Sequence, residues 1–174
     1  KETGELNSIG DEWSTPKEWI DKARDVMGSI DCDPATCGPY NRRWVHAKVF
    51  YTRERSGLSL GNAWEGNIWL NPPYGRGNES AGAFIKRLAS ETEVGNVKQA
   101  ITCLNLNSMS SGWFAPLRKH ATAHAICNKR IDFVPKPGEK STSPTKGTVF
   151  SYIGDNRDRF AEVFRDQCAI LIPY

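Results

Sequence analysis

Asn71-Pro72-Pro73-Tyr74 places an amide, two rigid prolines and a phenol in consecutive positions. That set suits one kind of chemistry, the activation of an exocyclic amine. Such an amine is a poor nucleophile because its lone pair is delocalised into the ring. To attack an electrophilic carbon, the nitrogen must become more tetrahedral and aim that lone pair outward. The Asn71 side-chain oxygen and a backbone carbonyl next to it, Pro72's being the natural candidate, can both accept the amine's N–H bonds. Two fixed acceptors stabilise the positive charge that develops on nitrogen, by preorganised electrostatics rather than by strong-base catalysis. Pro72 and Pro73 stiffen the backbone that carries the acceptors. Tyr74 offers a ring on which a base turned out of a helix can stack. The other reading is a rigid turn that stops a strand. Average residue usage gives Asn-Pro-Pro-aromatic about once in a thousand chains of this size, so the motif is too specific for that reading to be preferred.

Elements with the right ends must hold these residues. Asn67-Ile68-Trp69-Leu70 reads as a buried strand that stops at Pro72, because proline cannot continue a central ladder. Ile30-Asp31-Cys32-Asp33-Pro34 reads as a second short strand, whose carboxyl end brings two aspartates to a turn. Thr15 as cap and Pro16 as first residue open a helix that carries Trp19, Ile20, Ala23, Val26 and Met27 at helical spacing and ends at Gly28. The stretch 37–43 reads as loop and 45–51 as strand. Helices are expected over 81–88, 111–119 and 157–164, and strands over 99–106, 124–127, 131–134, 149–153 and 169–172. This alternation predicts an α/β fold with a mainly parallel sheet flanked by helices, the last two strands adding antiparallel pairing at one edge. In such sheets ligands bind outside the carboxyl ends of the strands, which singles out the turns after Asp33 and Leu70.

Composition narrows the class. With 174 residues, 39% of them hydrophobic and 25% charged, the chain is expected to form a single domain around one sizeable core. No apolar run approaches the ~20 residues that span a bilayer, and residues 1–10 lack a signal-like apolar stretch, so no membrane partner and an intracellular location are expected. The five cysteines contain no C-x-x-C pair and are read as reduced thiols. His120 and His124, spaced as if on one helix face, lack further ligands, so no metal is expected. The net charge of +3 says little, but Arg118, Lys119, Lys129, Arg130, Lys136, Lys140 and Lys146 outnumber Asp132 and Glu139 over 118–146. That local excess fits either a phosphate backbone or a solvated loop. Residues 135–148, rich in Pro, Gly, Ser, Thr and Lys, read as a mobile basic loop.

The chain resembles the phage-type DNA N6-adenine methyltransferases, often called phage Dam, a small branch of the class I S-adenosylmethionine-dependent enzymes. The resemblance rests on Asp11-Glu12-Trp13-Ser14-Thr15-Pro16, Asp31-Cys32-Asp33-Pro34-Ala35, Phe50-Tyr51-Thr52, Gly57-Leu58 and Trp64-Glu65-Gly66. It continues through Ile68-Trp69-Leu70-Asn71-Pro72-Pro73-Tyr74, Trp113-Phe114 and Arg130-Ile131-Asp132-Phe133. It implies a Rossmann-like methyltransferase fold and a site in which Asn71, Pro72, Pro73 and Tyr74 act on adenine N6. Trp13, Thr15 and Pro16 match a segment that lies against the cofactor in related amino-methyltransferases. Asp31, Asp33, Pro34 and Ala35 match the first-strand turn, where a carboxylate faces the ammonium of the cofactor, S-adenosylmethionine. The F-x-G-x-G usual at that turn in larger relatives is absent. Arg130, Phe133, Lys136, Lys140 and Lys146 are candidates for the substrate side, although Trp13 and Phe133 also suit plain core packing.

The implied partner is double-stranded DNA with its target adenine flipped out. Cytosine N4, adenine in RNA, a glutamine amide in protein and a non-catalytic DNA-binding module remain as alternatives. No separate target-recognition domain is read in the sequence. Sequence preference is therefore expected from loops 135–148 and 75–80, from a homodimer partner or from a second specificity subunit.

Overall fold

The computed structural model describes residues 14–75, 77–134 and 145–174. Helix α1 (Lys17–Met27) buries Trp19, Ile20, Ala23, Val26 and Met27, one apolar stripe at helical spacing. Gly28 ends it at φ 84°, a left-handed conformation that glycine adopts without steric cost, and returns its N–H to the Arg24 carbonyl at 2.7 Å. The start lies one residue later than its sequence suggests. Pro16, extended at ψ 145°, holds the cap position, its carbonyl accepts the Trp19 amide at 3.1 Å, and among the described residues no side chain caps the end. Thr15 is thereby left outside the helix, with its hydroxyl committed elsewhere.

The strands are β1 (Cys32–Asp33), β2 (Val49–Phe50), β3 (Gly66–Leu70), β4 (Val97–Asn105), β5 (Ala123–Cys127), β6 (Thr148–Ile153) and β7 (Cys168–Leu171). They form one sheet in the order β2-β1-β3-β4-β6-β5-β7. Strands β1 to β4 pair in parallel; β6 runs against both β4 and β5, and β7 runs against β5. Strands β1 to β5 therefore share one direction and the last two oppose it, as the mainly parallel α/β reading requires. β7 takes the edge as expected, but β6 lies inside the sheet between β4 and β5.

Alternation along each strand sorts the core onto two faces. Trp69, Ile101, Cys103, Phe150 and Tyr152 join α1 and the helix α5 (Arg157–Phe164) through Trp19, Phe160 and Phe164. Ile68, Leu70, Ala100, Leu104, Val149 and Ile153 face the helices α3 (Ala81–Glu93) and α4 (Ala115–His120) through Phe84, Ile85, Leu88 and Leu117. The first face is knit by rings, Trp19 stacking on Phe150 at 4.9 Å and Phe160 on Phe164 at 4.5 Å.

Several local expectations give way. The stretch read as loop after Cys37 coils into a helical turn, α2 (Gly38–Tyr40), continuous with a π-turn at Asn41–Val45. Strand pairing then begins only at Val49, because His46 turns the chain at φ 51°. Residues 131–134 form no strand; Val134 makes a single bridge to Ser14. His120 ends α4 beside Glu93, while His124 lies buried in β5, its Nδ1 2.7 Å from Ser151 Oγ, so the two do not share a helix face. Thr148, placed in the basic loop by its sequence, opens β6, and residues 135–144 lie outside the described part.

Candidate active site

The sheet order places the carboxyl ends of β1 and β3 side by side, the chain leaving β1 toward β2 on one side and β3 toward β4 on the other. That reversal is where an open parallel sheet leaves a crevice. Strand alternation decides which side chains line it. Asp33, Asn71 and Cys103 have the parity of Trp69 and Ile101, and so belong to the face covered by α1.

At the end of β3, Asn71 is half-buried and Pro72 buried, while Tyr74 leaves 47% of its surface exposed. The Asn71 Nδ2 donates to Thr15 Oγ1 at 3.0 Å. Thr15 exposes none of its surface. Its carbonyl accepts the Tyr40 hydroxyl at 2.6 Å, and Ser14 before it is bridged to Val134 by hydrogen bonds of 3.3 and 2.9 Å. Tyr40 is brought there by the helical turn that sequence reading took for a loop. Pro39 at its first positions was the available signal, since proline suits the start of a helix. Burial beside Asp33 pushes the Tyr40 hydroxyl well above its ordinary pKa.

Tyr74 divides into two parts. Its ring is presented outward, whereas its hydroxyl accepts the Asn105 backbone N–H at 2.5 Å at the end of β4. Burial raises the hydroxyl's pKa, against the smaller opposing effects of hydrogen bonds with Asn105 and Ser108. The phenol therefore stays neutral and serves as an anchor for the ring. Asn105 and Ser108 were not foreseen as part of the site.

The β1 end is closed. Asp33 is 1% exposed, its Oδ1 taking the Ala35 amide at 3.3 Å, and Pro34 is buried behind it. Gly57 lies directly on this turn; a Cβ built there would stand 2.3 Å from the Pro34 carbonyl oxygen. Trp64 Nε1 holds the Gly57 carbonyl at 2.8 Å.

Asp31 is engaged at the other end of the strands. Its carboxylate accepts the Asn67 amide at 2.8 Å and pairs with Lys48 at 2.6 Å, stitching β1 to the start of β3. Burial tends to raise its pKa, but these partners outweigh it and hold it below the usual value. Pro16 lies at the cap of α1, next to Thr15. Phe133 packs, partly buried, against the α1 face of the core. Arg130 and Lys146 are exposed. They follow β5 and precede β6 on the same carboxyl edge, where Gly147 accepts the Leu106 amide at 2.8 Å. Trp13, Lys136 and Lys140 lie outside the described residues.

Among the described residues no three His, Cys, Asp or Glu side chains gather to hold a metal, and no helix is long and apolar enough to cross a membrane. What the edge offers is a held amide, a rigid carbonyl and an exposed ring after β3 and a buried carboxylate at the end of the neighbouring β1. That is equipment for orienting a planar polar group next to a cationic one.

Two comparisons agree with one another. Residues 2–160 match the family described as DNA N-6-adenine-methyltransferase (Dam). A curated DNA N-6-adenine-methyltransferase of Escherichia phage T1 is 30% identical over 121 residues, covering 70% of this chain and 46% of that protein. The chain thus spans about half the length of the curated relative it matches.

Proposed function

The chain belongs to the DNA N-6-adenine-methyltransferase (Dam) family, and on that premise we propose that it methylates the exocyclic N6 of adenine in double-stranded DNA, drawing the methyl group from S-adenosylmethionine and using no metal. The observation that carries this reading is the Asn71–Thr15 hydrogen bond, which holds the amide of Asn71-Pro72-Pro73-Tyr74 at the mouth of the strand crevice.

Asp33, buried at 1% exposure with Pro34 and Ala35 in its turn, is the carboxylate that would face the methionine ammonium of an enclosed cofactor; Pro16, with Trp13, belongs to the segment that the family likeness assigns to the cofactor. Bound there, S-adenosylmethionine supplies an electrophilic methyl group on a sulfonium. Asn71 Oδ1 and the Pro72 carbonyl accept the two N–H bonds of the adenine amine and so direct its lone pair outward. Their partial negative charges stabilise the cationic nitrogen as it forms, and its surplus proton leaves to water. Pro73 keeps the acceptors rigid. The Tyr74 ring, anchored through its hydroxyl, stacks on the flipped base, and Phe133, partly buried against the α1 face, is a second candidate for the substrate side. Arg130, Lys146, Lys136 and Lys140 meet the phosphate backbone, whose attraction for cations is independent of sequence. Target preference then resides in loops of this edge or in a second subunit. The reaction requires DNA and cofactor in one compartment, which is the cytoplasm.

Incubation with methyl-labelled S-adenosylmethionine and unmodified duplex DNA, followed by digestion to nucleosides, tests this. Label on N6-methyl-2′-deoxyadenosine is the expected result. Label on cytosine only, or no label in DNA, whether or not parallel incubations with RNA or protein are labelled, overturns it.

A further inference from the structure

The two arms of an asparagine amide have nearly the same shape and opposite chemistry: Oδ1 accepts and Nδ2 donates. In the reaction proposed above only one orientation is useful. An Asn71 amide turned by half a rotation would set a donor against the N–H bonds of the amine. Something must favour the productive orientation before substrate arrives, since reorganisation during reaction erodes the benefit of a fixed acceptor.

From the geometry we infer that Thr15 is the positioning residue that fixes the Asn71 amide with Oδ1 toward the substrate. Asn71 Nδ2 donates to Thr15 Oγ1 at 3.0 Å, and Oδ1 accepts no hydrogen bond from the described residues. Thr15 is itself over-determined. Tyr40 holds its carbonyl at 2.6 Å, Ser14 is bridged to Val134, and Pro16 restricts the backbone on its other side. It is wholly buried, so it acts through Asn71 and not on the base.

A hydroxyl can donate as well as accept, and by itself Thr15 would also welcome a turned amide. In the orientation found it accepts, its Oγ1 lying 3.0 Å from the donating Asn71 Nδ2. A second neighbour, the buried Cys103, engages the same hydroxyl, which partly offsets the rise that burial imposes on the thiol. This role rests on the adenine-methylation reading for its purpose, but not for its geometry.

Nitrogen-15 NMR of the side-chain amides and single-turnover methylation test the two parts separately. The Asn71 Nδ2 signal is identified by its loss in Asn71→Asp. Its protons should be protected from exchange in the wild type and in Thr15→Ser, and unprotected in Thr15→Val. Thr15→Val should slow methyl transfer about tenfold, the worth of one oriented neutral hydrogen bond, with cofactor affinity unchanged and activity restored in Thr15→Ser. Unprotected Nδ2 protons in the wild type overturn the inference whatever the folding of the variants. So does a Thr15→Ser protein as slow as Thr15→Val, or a loss confined to cofactor affinity. If wild-type protein labels no adenine, the reaction is wrong while the exchange measurement still decides the role of Thr15.

Discussion

The carboxyl ends of β1 and β3 are neighbours in one sheet and are finished in opposite ways. The β1 turn is sealed by the chain itself: Asp33 and Pro34 are buried, and the backbone of Gly57 presses on the Pro34 carbonyl where no side chain fits. The β3 turn is held from behind, through Thr15 and the Asn105 amide, and left open in front, where the Tyr74 ring meets solvent. A turn that is closed in the free protein serves packing or a ligand that must be enclosed. One that is rigid yet open is prepared for a partner that comes and goes.

The sharpest way to break this contrast is Asn71→Ala. Loss of one preorganised acceptor should lower the single-turnover methylation rate by about 10²–10³, with calorimetric binding of S-adenosylmethionine largely retained. A near-normal rate would remove Asn71 from the chemistry. Gly57→Ala attacks the closed turn instead. Its Cβ must displace backbone 2.3 Å away, an overpacking that typically costs about 1–3 kcal/mol, so the midpoint in a denaturant titration should fall and cofactor binding should weaken with it. Unchanged stability would mean that the loop is free to lift off the β1 turn. Tyr74→Ala removes a stacking surface worth roughly 1–3 kcal/mol per base, and should weaken binding of DNA with an extrahelical target, with a loss of stability of at least the hydroxyl's hydrogen bond, about 1 kcal/mol. Tyr74→Phe keeps the ring and loses only the hydroxyl's hydrogen bonds with Asn105 and Ser108, about 1 kcal/mol each, so most activity should remain. A Phe variant as impaired as the Ala variant would place the hydroxyl in the reaction. The smallest effect belongs to the basic rim. Lys146→Ala should reduce the slope of log affinity for duplex DNA against log salt by about 0.9, as should loss of Lys136 or Lys140.

The open turn was easier to read than the closed one. Asn71 to Tyr74 are contiguous and rare as a set, and the apolar strand before them marks their place. Helix 157–164 and the opposed direction of the last two strands were legible for a similar reason: period and turn residues are local properties. The Thr15 hydroxyl was misassigned to helix capping because capping is the common use of a threonine before a helical stripe, and its partner lies 56 positions away. Tyr40 escaped because Gly38-Pro39 was read as a loop, although proline also opens helices. Strand order shows least of all in a sequence. Nothing local tells β6 to enter between β4 and β5, since that choice is made by ladders joining distant segments.

The central position of β6 has a consequence for how the chain reaches this structure. Among the described residues β5 pairs only with β6 and β7, both of which follow it in sequence. As the chain emerges, β1, β3 and β4 can associate while β5 waits with two bare edges, and β4 keeps an open flank until β6 arrives. Non-local pairing of this kind slows folding and leaves exposed edges to aggregate. The strand that completes the sheet is thus a late keystone. Substitutions in Val149, Phe150 or Tyr152 should first be felt as low yield of folded protein, although all three residues lie within the core and away from the open turn.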